Sequence, residues 1–369
     1  MRLKDIATVK GGKRLPKTDK LVSYKTDHPY IRIRDMYQSY PLEINSDFEY
    51  ITDATHEKIK RYIVNQGDVI IAVVGNTIGL VSLIGSSLDG ANLTENCNKL
   101  VEIHDCDNRF LYYFLTSKEG QDEIKKGIVG SSQPKLPIYN IEKIEIPAVP
   151  YEQQIKIVEI LETIDKKISN NETINRNLLE QCDAIYRDQF ITKSDSSWTT
   201  GYLSDLIAVK YGKDHKKLED GDIPCYGSGG VMRYVERPIY DHESVLIPRK
   251  GTLNNVMYVN VPFWSVDTMF YTVMKISNVA KFIYHYVKGK DLASMNAGSA
   301  VPSMTVDILN AMELQIPSST ALADFETIVQ PLYNMMKDNE IENKKLAELR
   351  DTLLPKLMSR ELDVSDLDI

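Results

Sequence analysis

Long apolar runs are missing from this sequence, and so is any regular pattern of cysteine. Nothing approaches the ~20 consecutive apolar residues that a membrane-spanning helix needs. The first residues, Met1-Arg2-Leu3-Lys4-Asp5, lack the apolar stretch of a secretory leader, so a cytoplasmic location is expected. Cys97, Cys106, Cys182 and Cys225 form no C-x-x-C pair, which argues against a zinc site or a disulfide framework and leaves buried thiols as the expectation. The histidines are equally scattered, and His104 with Cys106 on one strand face supplies two ligands where a metal needs more. No G-x-x-x-x-G-K-[ST] loop occurs, so ATP hydrolysis is not expected here. Asn260-Val261-Pro262-Phe263 departs from the Asn-Pro-Pro-Tyr/Phe motif that clamps a flipped base in amino-methyltransferases, and no glycine-rich cofactor loop precedes it. No metal or cofactor is therefore expected in this chain.

An excess of positive charge is also absent, which at first argues against a nucleic-acid partner: the net charge is -8. Its distribution changes that reading. Residues 1–147 carry 20 basic and 20 acidic side chains, and residues 199–317 carry 12 of each. The deficit lies in 148–198, with 6 against 9, and in 318–369, with 6 against 11. The two neutral segments hold local basic clusters that the average hides.

What is present is a duplication. Leu3-Lys4-Asp5-Ile6-Ala7 and Val9-Lys10-Gly11-Gly12-Lys13 are echoed by Leu203-Ser204-Asp205-Leu206-Ile207 and Val209-Lys210-Tyr211-Gly212-Lys213. Further along, Gly67–Ile71 matches Glu243–Ile247, Phe110–Tyr113 matches Phe282–His285, and Gly130-Ser131 before Pro134 matches Gly298-Ser299 before Pro302. Ile146-Pro147 matches Ile316-Pro317, and the run from Ile174 to Leu179 matches that from Ile341 to Leu346.

Each half begins as α+β. Short β-rich runs at 30–33, 69–74 and 100–103 are bounded by turn residues. A short helix is expected over 108–126 and again near 279–289. Each half then changes character. Residues 152–190 contain no glycine or proline, and Ile157, Leu161, Ile164 and Ile168, then after a shift Ile174, Leu178, Cys182 and Ile185, recur at the spacing of a packed helix seam. Phe325, Ile328, Leu332, Met336, Leu346, Leu349 and Leu353 mark a second long segment, about 319–360. Pro331 and Pro355 fall inside it, and at ~3 kcal/mol each a kink or break is expected at both.

This order of lobe, long helix, lobe, long helix resembles the DNA-specificity subunit of type I restriction-modification systems along essentially the whole chain. Ile146-Pro147-Ala148-Val149-Pro150-Tyr151-Glu152-Gln153-Gln154 is similar to the family's proline-bracketed start of its first conserved helix. The run Ile341–Leu357, with Leu346-Ala347-Glu348-Leu349-Arg350-Asp351 at its centre, is similar to the C-terminal conserved helix. Lys10–Pro16 and Tyr30–Met36 resemble one class of family recognition domain, and Tyr226–Gly230 and Ile247–Thr252 another. Ile316-Pro317-Ser318-Ser319-Thr320 departs from the pattern, because it lacks the Glu-Gln pair.

The resemblance implies two α+β target-recognition domains, 1–147 and 199–317, separated by two long antiparallel conserved helices, 148–198 and 318–369, with pseudo-two-fold symmetry. It further implies that each lobe reads one half of a split double-stranded DNA target. Two methylation subunits would dock on the helices and bring S-adenosylmethionine chemistry, and restriction subunits would add ATP- and Mg-dependent translocation and cleavage. This chain would be non-catalytic.

Reading DNA takes cations for phosphates and forked or amide side chains for base edges. In the first lobe Lys10, Lys13 and Arg14 surround Gly11-Gly12, whose backbone N–H groups suit a phosphate, so Gly12 joins the candidates. Arg32 and Arg34, two apart in an expected strand, would share a face. Asn76, Thr77, Ser131, Ser132, Gln133 and Lys135 are polar loop candidates. Their counterparts in the second lobe are Lys210, Lys213, Lys216, Lys217, Ser228, Arg233, Arg249, Lys250, Thr252, Asn254 and Ser299. Packing, between the helices or against a partner subunit, is assigned to Ile157, Leu161, Ile164, Ile168, Leu178, Ile185, Leu332, Leu346, Leu349 and Leu353.

Two other readings compete. A stand-alone methyltransferase or nuclease with its own recognition lobes would need a further large catalytic domain, for which these 369 residues leave no room. A purely structural coiled-coil adaptor would leave the lobes and their Arg and Lys placements unexplained.

Overall fold

The computed structural model describes residues 1–37, 40–45, 47–295 and 303–364. It divides into two compact units, one formed by 1–173 with 338–369 and the other by 174–337. Each unit therefore combines one lobe with part of both long helices.

In the first unit the lobe carries β1 (Thr8–Gly11), β2 (Tyr30–Ile31), β3 (Val69–Ala72), β4 (Val81–Leu83), β5 (Asn92–Leu93) and β6 (Cys97–Val101). The sheet β1-β6-β3-β4 is antiparallel throughout, and β2 pairs with β5 in parallel. β3 is buried along its whole length, and its two faces serve two cores. Val69 and Ile71 join Phe110, Leu111 and Phe114, while Ile70 and Ala72 join Ile31, Leu42, Phe48 and Leu93.

The helix expected over 108–126 is two helices, Asn108–Thr116 and Lys118–Lys126. Ser117 leaves the helical region at ψ 164° and caps the second helix by accepting the Gly120 N–H. The turn is tight enough that a Cβ on Gly120 would lie 2.0 Å from the Phe114 carbonyl oxygen.

The second unit repeats the plan with β7 (Thr199–Tyr202), β8 (Ile207–Tyr211), β9 (Ile223–Gly227), β10 (Gly230–Val235), β11 (Ser244–Pro248), β12 (Met257–Val259), β13 (Trp264–Ser265), β14 (Met269–Met274) and β15 (Glu313–Ile316). Its sheets run β12-β11-β14-β8, β10-β9-β13 and β15-β7. β11 is buried throughout, as β3 is, and the lobe helix is Ala280–Lys288.

The long helices are Tyr151–Arg187 and Ser319–Met358. The second runs unbroken through Pro331 and Pro355, against expectation. A proline inside a helix strands the carbonyl four residues earlier. Here those carbonyls belong to Thr327 and Asp351, residues on the exposed side of the helix, where water rather than packed side chains lies nearest. Buried Phe325, Val329, Tyr333, Leu354 and Leu357 offset the rest of the cost.

Within each unit the helices run antiparallel. Asn175 Nδ2 donates to the Met336 carbonyl at 3.0 Å in one unit, and Asn343 Nδ2 donates to the Ile168 carbonyl at 3.4 Å in the other. Asn175 thus corresponds to Asn343, one residue away from the pairing of Ile174 with Ile341 read from sequence. Of the assigned packing positions, Ile157, Leu161, Ile164 and Leu178 are buried, and Ile168, Ile185, Leu332, Leu346 and Leu353 half-buried. Leu349 does not pack between the two helices, being 48% exposed. The inward line runs through Asn343, Arg350, Leu354 and Leu357, and Leu349 sits about 100° around the helix from Arg350.

Each lobe helix is tied to the long helices by buried polar groups. In the first unit Arg109 reaches Asp107 at 3.0 Å and Glu162 at 3.3 Å. Tyr113 donates to Asp165 at 2.8 Å, and Arg350 donates to the other oxygen of Asp165 at 2.8 Å. In the second unit the equivalent places hold Lys281 and His285. Lys281, with no exposed side-chain surface, meets Glu326 at 2.6 Å and Glu243 at 3.0 Å. His285 lies 2.5 Å from Asp183 and 3.0 Å from the Tyr333 hydroxyl. Burial pushes the Tyr113 and Tyr333 hydroxyls far above the usual phenol range, so both stay protonated. Burial alone would raise the Asp183 carboxyl, but the hydrogen bonds and charges of His285 and Lys288 outweigh it and hold that group low.

The packing assignment is tested by truncation. Phe325→Ala is expected to cost about 3–5 kcal/mol as a fully buried aromatic. Leu349→Ala should stay within about 0.5 kcal/mol. Urea denaturation followed by circular dichroism reads both.

Candidate nucleic-acid interface

In the first lobe most candidate residues gather at one end of the sheet, where β1 and β3 finish and β6 begins. Gly12 does not present its N–H to a ligand, contrary to the sequence reading. That N–H donates to the Cys97 carbonyl at 3.0 Å, and a Cβ at Gly12 would lie 1.9 Å from the Thr94 carbonyl oxygen. The glycine is there so that the strand can pass close to the backbone of 93–97. Lys13 follows, its N–H fixed on the Leu93 carbonyl at 2.8 Å and its ammonium 5.6 Å from the centre of the Tyr62 ring. Arg14 is 79% exposed and paired with Glu95 at 2.5 Å, a contact that raises its already high pKa.

The loop carrying Asn76 and Thr77 is held beside the loop of Ser131, Gln133 and Lys135. Gly75 N–H donates to the Pro134 carbonyl at 3.1 Å, and Val74 and Val129 both bridge to Lys135. Asn76, Ser131, Ser132, Gln133 and Lys135 are exposed, and Thr77 is half-buried with its hydroxyl donated to the Val74 carbonyl at 3.0 Å. These residues form a single polar surface.

Three further first-lobe candidates are placed differently from expectation. Arg34 lies in a 3-10 turn, Ile33–Tyr37, not in a strand, because the chain leaves β2 after Ile31. Arg32 grips Asp35 through two hydrogen bonds, at 2.9 and 2.8 Å, and also contacts Glu49; its side chain is only 15% exposed. It holds the turn together. Arg34 also pairs with Glu49, at 2.8 Å, but remains largely exposed. Lys10 is paired with Glu102 at 2.7 Å on the sheet surface.

The second lobe repeats the glycine device. Gly212 N–H donates to the Met269 carbonyl at 3.0 Å, and an added Cβ would lie 2.0 Å from the Val266 carbonyl oxygen. Lys213 then bonds the Ser265 carbonyl at 2.8 Å, as Lys13 bonds Leu93. Beside it stands the loop Arg249–Thr252, turned by Gly251 at φ +85°. A Cβ on Gly251 would lie 2.6 Å from Ser228 Oγ, and Asn255 Nδ2 donates to the Ser228 carbonyl at 2.8 Å, so this loop and the β9–β10 turn touch. The Arg249 guanidinium lies 5.4 Å from the centre of the Tyr211 ring and donates to the Asp267 carbonyl at 3.3 Å. Lys213, Ser228, Arg249, Lys250 and Thr252 are thereby brought together.

Others are not. Arg233 is turned to the Leu218 carbonyl at 2.9 Å and Asp220 at 2.8 Å. Asn254 ties down the 291–293 turn through Asp291 at 3.1 Å and the Ala293 N–H at 3.0 Å. Lys210 is exposed on the edge strand β8, and Lys216 and Lys217 are exposed in the following loop. Ser299 lies outside the described residues. The sequence reading missed Tyr62 and Tyr211, which seat Lys13 and Arg249; an aromatic beside a cation-rich glycine turn was the available signal. Among the described residues no group of three or more His, Cys, Asp or Glu side chains is placed to hold a metal, and the four cysteines are buried and free. No described helix is long and apolar enough to cross a membrane.

The fold thus defines a duplicated α+β protein, each half a lobe with a glycine-seated cationic loop, pinned to a pair of long antiparallel helices. The family described as type I restriction modification DNA specificity domain matches residues 1–180 and 195–351. The chain belongs to that family, and its lobes are DNA-recognition domains. It is 23% identical to the MjaIX type I restriction enzyme specificity subunit of Methanocaldococcus jannaschii, over 99% of this chain and 94% of that protein. It is 24% identical to the EcoprrI specificity subunit of Escherichia coli, over 86% of this chain and 82% of that one. A crystal structure of the type I restriction-modification S subunit from M. genitalium shares the fold with a TM-score of 0.55 at 19% identity, covering 97% of this chain and 95% of that one.

Two arginines separate structure from binding. Arg249→Ala is expected to weaken DNA binding across sequences and to lower the slope of log K against log salt by about 0.9. Arg32→Ala should leave that slope unchanged and lower the thermal midpoint instead. Salt-titrated fluorescence anisotropy and a thermal melt read the two effects.

Proposed function

We propose that this chain reads a bipartite double-stranded DNA target, one half-site per lobe, and holds two methylation subunits on its long helices. The observation that carries the reading is the repeated loop device. Gly12 and Gly212 each pass against a carbonyl, and each sets an exposed lysine at the end of a sheet beside a polar loop. A reader of a split site needs the same cationic seat twice, because each half-site presents its own phosphates.

The partner surfaces are supported by apolar side chains that the long helices leave uncovered. Ile328 and Met335 are 47% and 51% exposed in one unit, and Ile341 and Leu349 are 45% and 48% exposed in the other. On helices with carboxylate-rich flanks, such residues suit partner helices better than water. In this reading S-adenosylmethionine stays with the methylation subunits, ATP and Mg with restriction subunits, and this chain does no chemistry. It works in the cytoplasm, where those partners and the DNA are.

Size-exclusion chromatography with light scattering tests the scaffold role. Co-expressed with its methylation subunit, the chain is expected to give a complex of two methylation subunits to one chain. A chain that stays alone under all salt conditions contradicts it.

A further inference from the structure

The β9–β10 hairpin of the second lobe departs from the rules for an edge. β10 borders the three-stranded sheet β10-β9-β13, and edge strands are ordinarily guarded by charges or proline. Here Val231 and Met232 are 47% and 59% exposed, while Val235 and Cys225 on the same hairpin are completely buried. The pairing explains how two adjacent apolar residues both face out. Val231 pairs with Tyr226 and Arg233 with Cys225, so Met232 is the extra residue of a β-bulge and the alternation of faces is broken. The one cation of the strand, Arg233, does not guard the edge, being turned to Leu218 and Asp220.

This apolar tip sits beside the cationic cluster. The hairpin turn at Ser228 touches the loop of Arg249 and Lys250, as described above. A Cβ on Gly227 would lie 2.4 Å from Met232 Sδ and 3.8 Å from Val266 Cγ2, so Gly227 lies beside both the methionine and the segment 265–268 that bonds Lys213 and Arg249. A two-stranded ribbon fits the DNA major groove, and the one apolar group displayed there is the 5-methyl of thymine. The flanking cations suit the phosphates on either side of a groove, which favours DNA over an apolar protein partner as the occupant.

We infer that the β9–β10 hairpin enters the major groove of the second lobe's half-site, and that Val231 and Met232 select thymine by packing on its 5-methyl group. The inference rests on the DNA-reading function proposed above and names one element of its readout.

The test uses the full chain, alone and with its methylation subunit, to enrich duplexes from a random-sequence library. The enriched duplex is then remade with deoxyuridine replacing each thymidine in turn, and binding is measured by anisotropy. One or two positions, confined to one half-site, should bind about fourfold more weakly, the ratio that one buried methyl group contributes. In a Val231→Ser, Met232→Ser chain that difference should vanish, with an unchanged thermal midpoint because both side chains are exposed. Equal binding of thymidine and deoxyuridine duplexes by the unaltered chain overturns the inference and leaves the DNA-reading function standing. So does a deoxyuridine effect that persists in the double variant, or enriched half-sites without thymine. No enriched sequence at all overturns the DNA-reading function itself, and this inference with it.

Discussion

Everything in this molecule depends on how a lobe helix is locked against two long helices by buried polar groups. The apolar seams alone would permit sliding, since one aliphatic contact along a helix resembles the next. Asp165, accepting from Tyr113 of the lobe and Arg350 of the opposite helix, fixes three elements at once. His285 does the same in the second unit, between Asp183 and Tyr333. Buried charges of this kind contribute little net stability, but removing one partner costs about 3–5 kcal/mol. They set geometry, fixing each lobe on its helices.

The two clamps occupy matching places with different chemistry. Tyr113 and His285 answer one another, as do Arg109 and Lys281; the acids that receive them are Asp165 and Glu162 in one unit and Asp183 and Glu326 in the other. A duplication read only by residue identity hides this, because what is kept is a position between three elements.

Much of the plan was legible in the sequence. The duplication, the two helices and the glycine-lysine turns are local patterns, and local patterns survive translation into structure. Leu349 shows where that stops: a heptad-like spacing names a stripe but not which of two adjacent stripes faces inward, and Arg350 turned out to be the inward residue. Pro331 and Pro355 were misleading for a related reason, since the cost of a proline depends on whether the stranded carbonyl meets water. Arg32 and Arg34 were read as a strand pair, whereas Asp35 and Glu49 draw them into a turn and a salt-bridge cluster. Those carboxylates are close in space, and for Glu49 that proximity is invisible along the chain.

The central claim is that the lobes read independently while the helices only hold them. It is tested most directly by exchanging residues 199–317 for the corresponding lobe of a relative and mapping methylated sites by sequencing in cells that carry the methylation subunit. The account predicts that one half of the methylated target changes and that the other half and the gap between them persist. A change in both halves would contradict it.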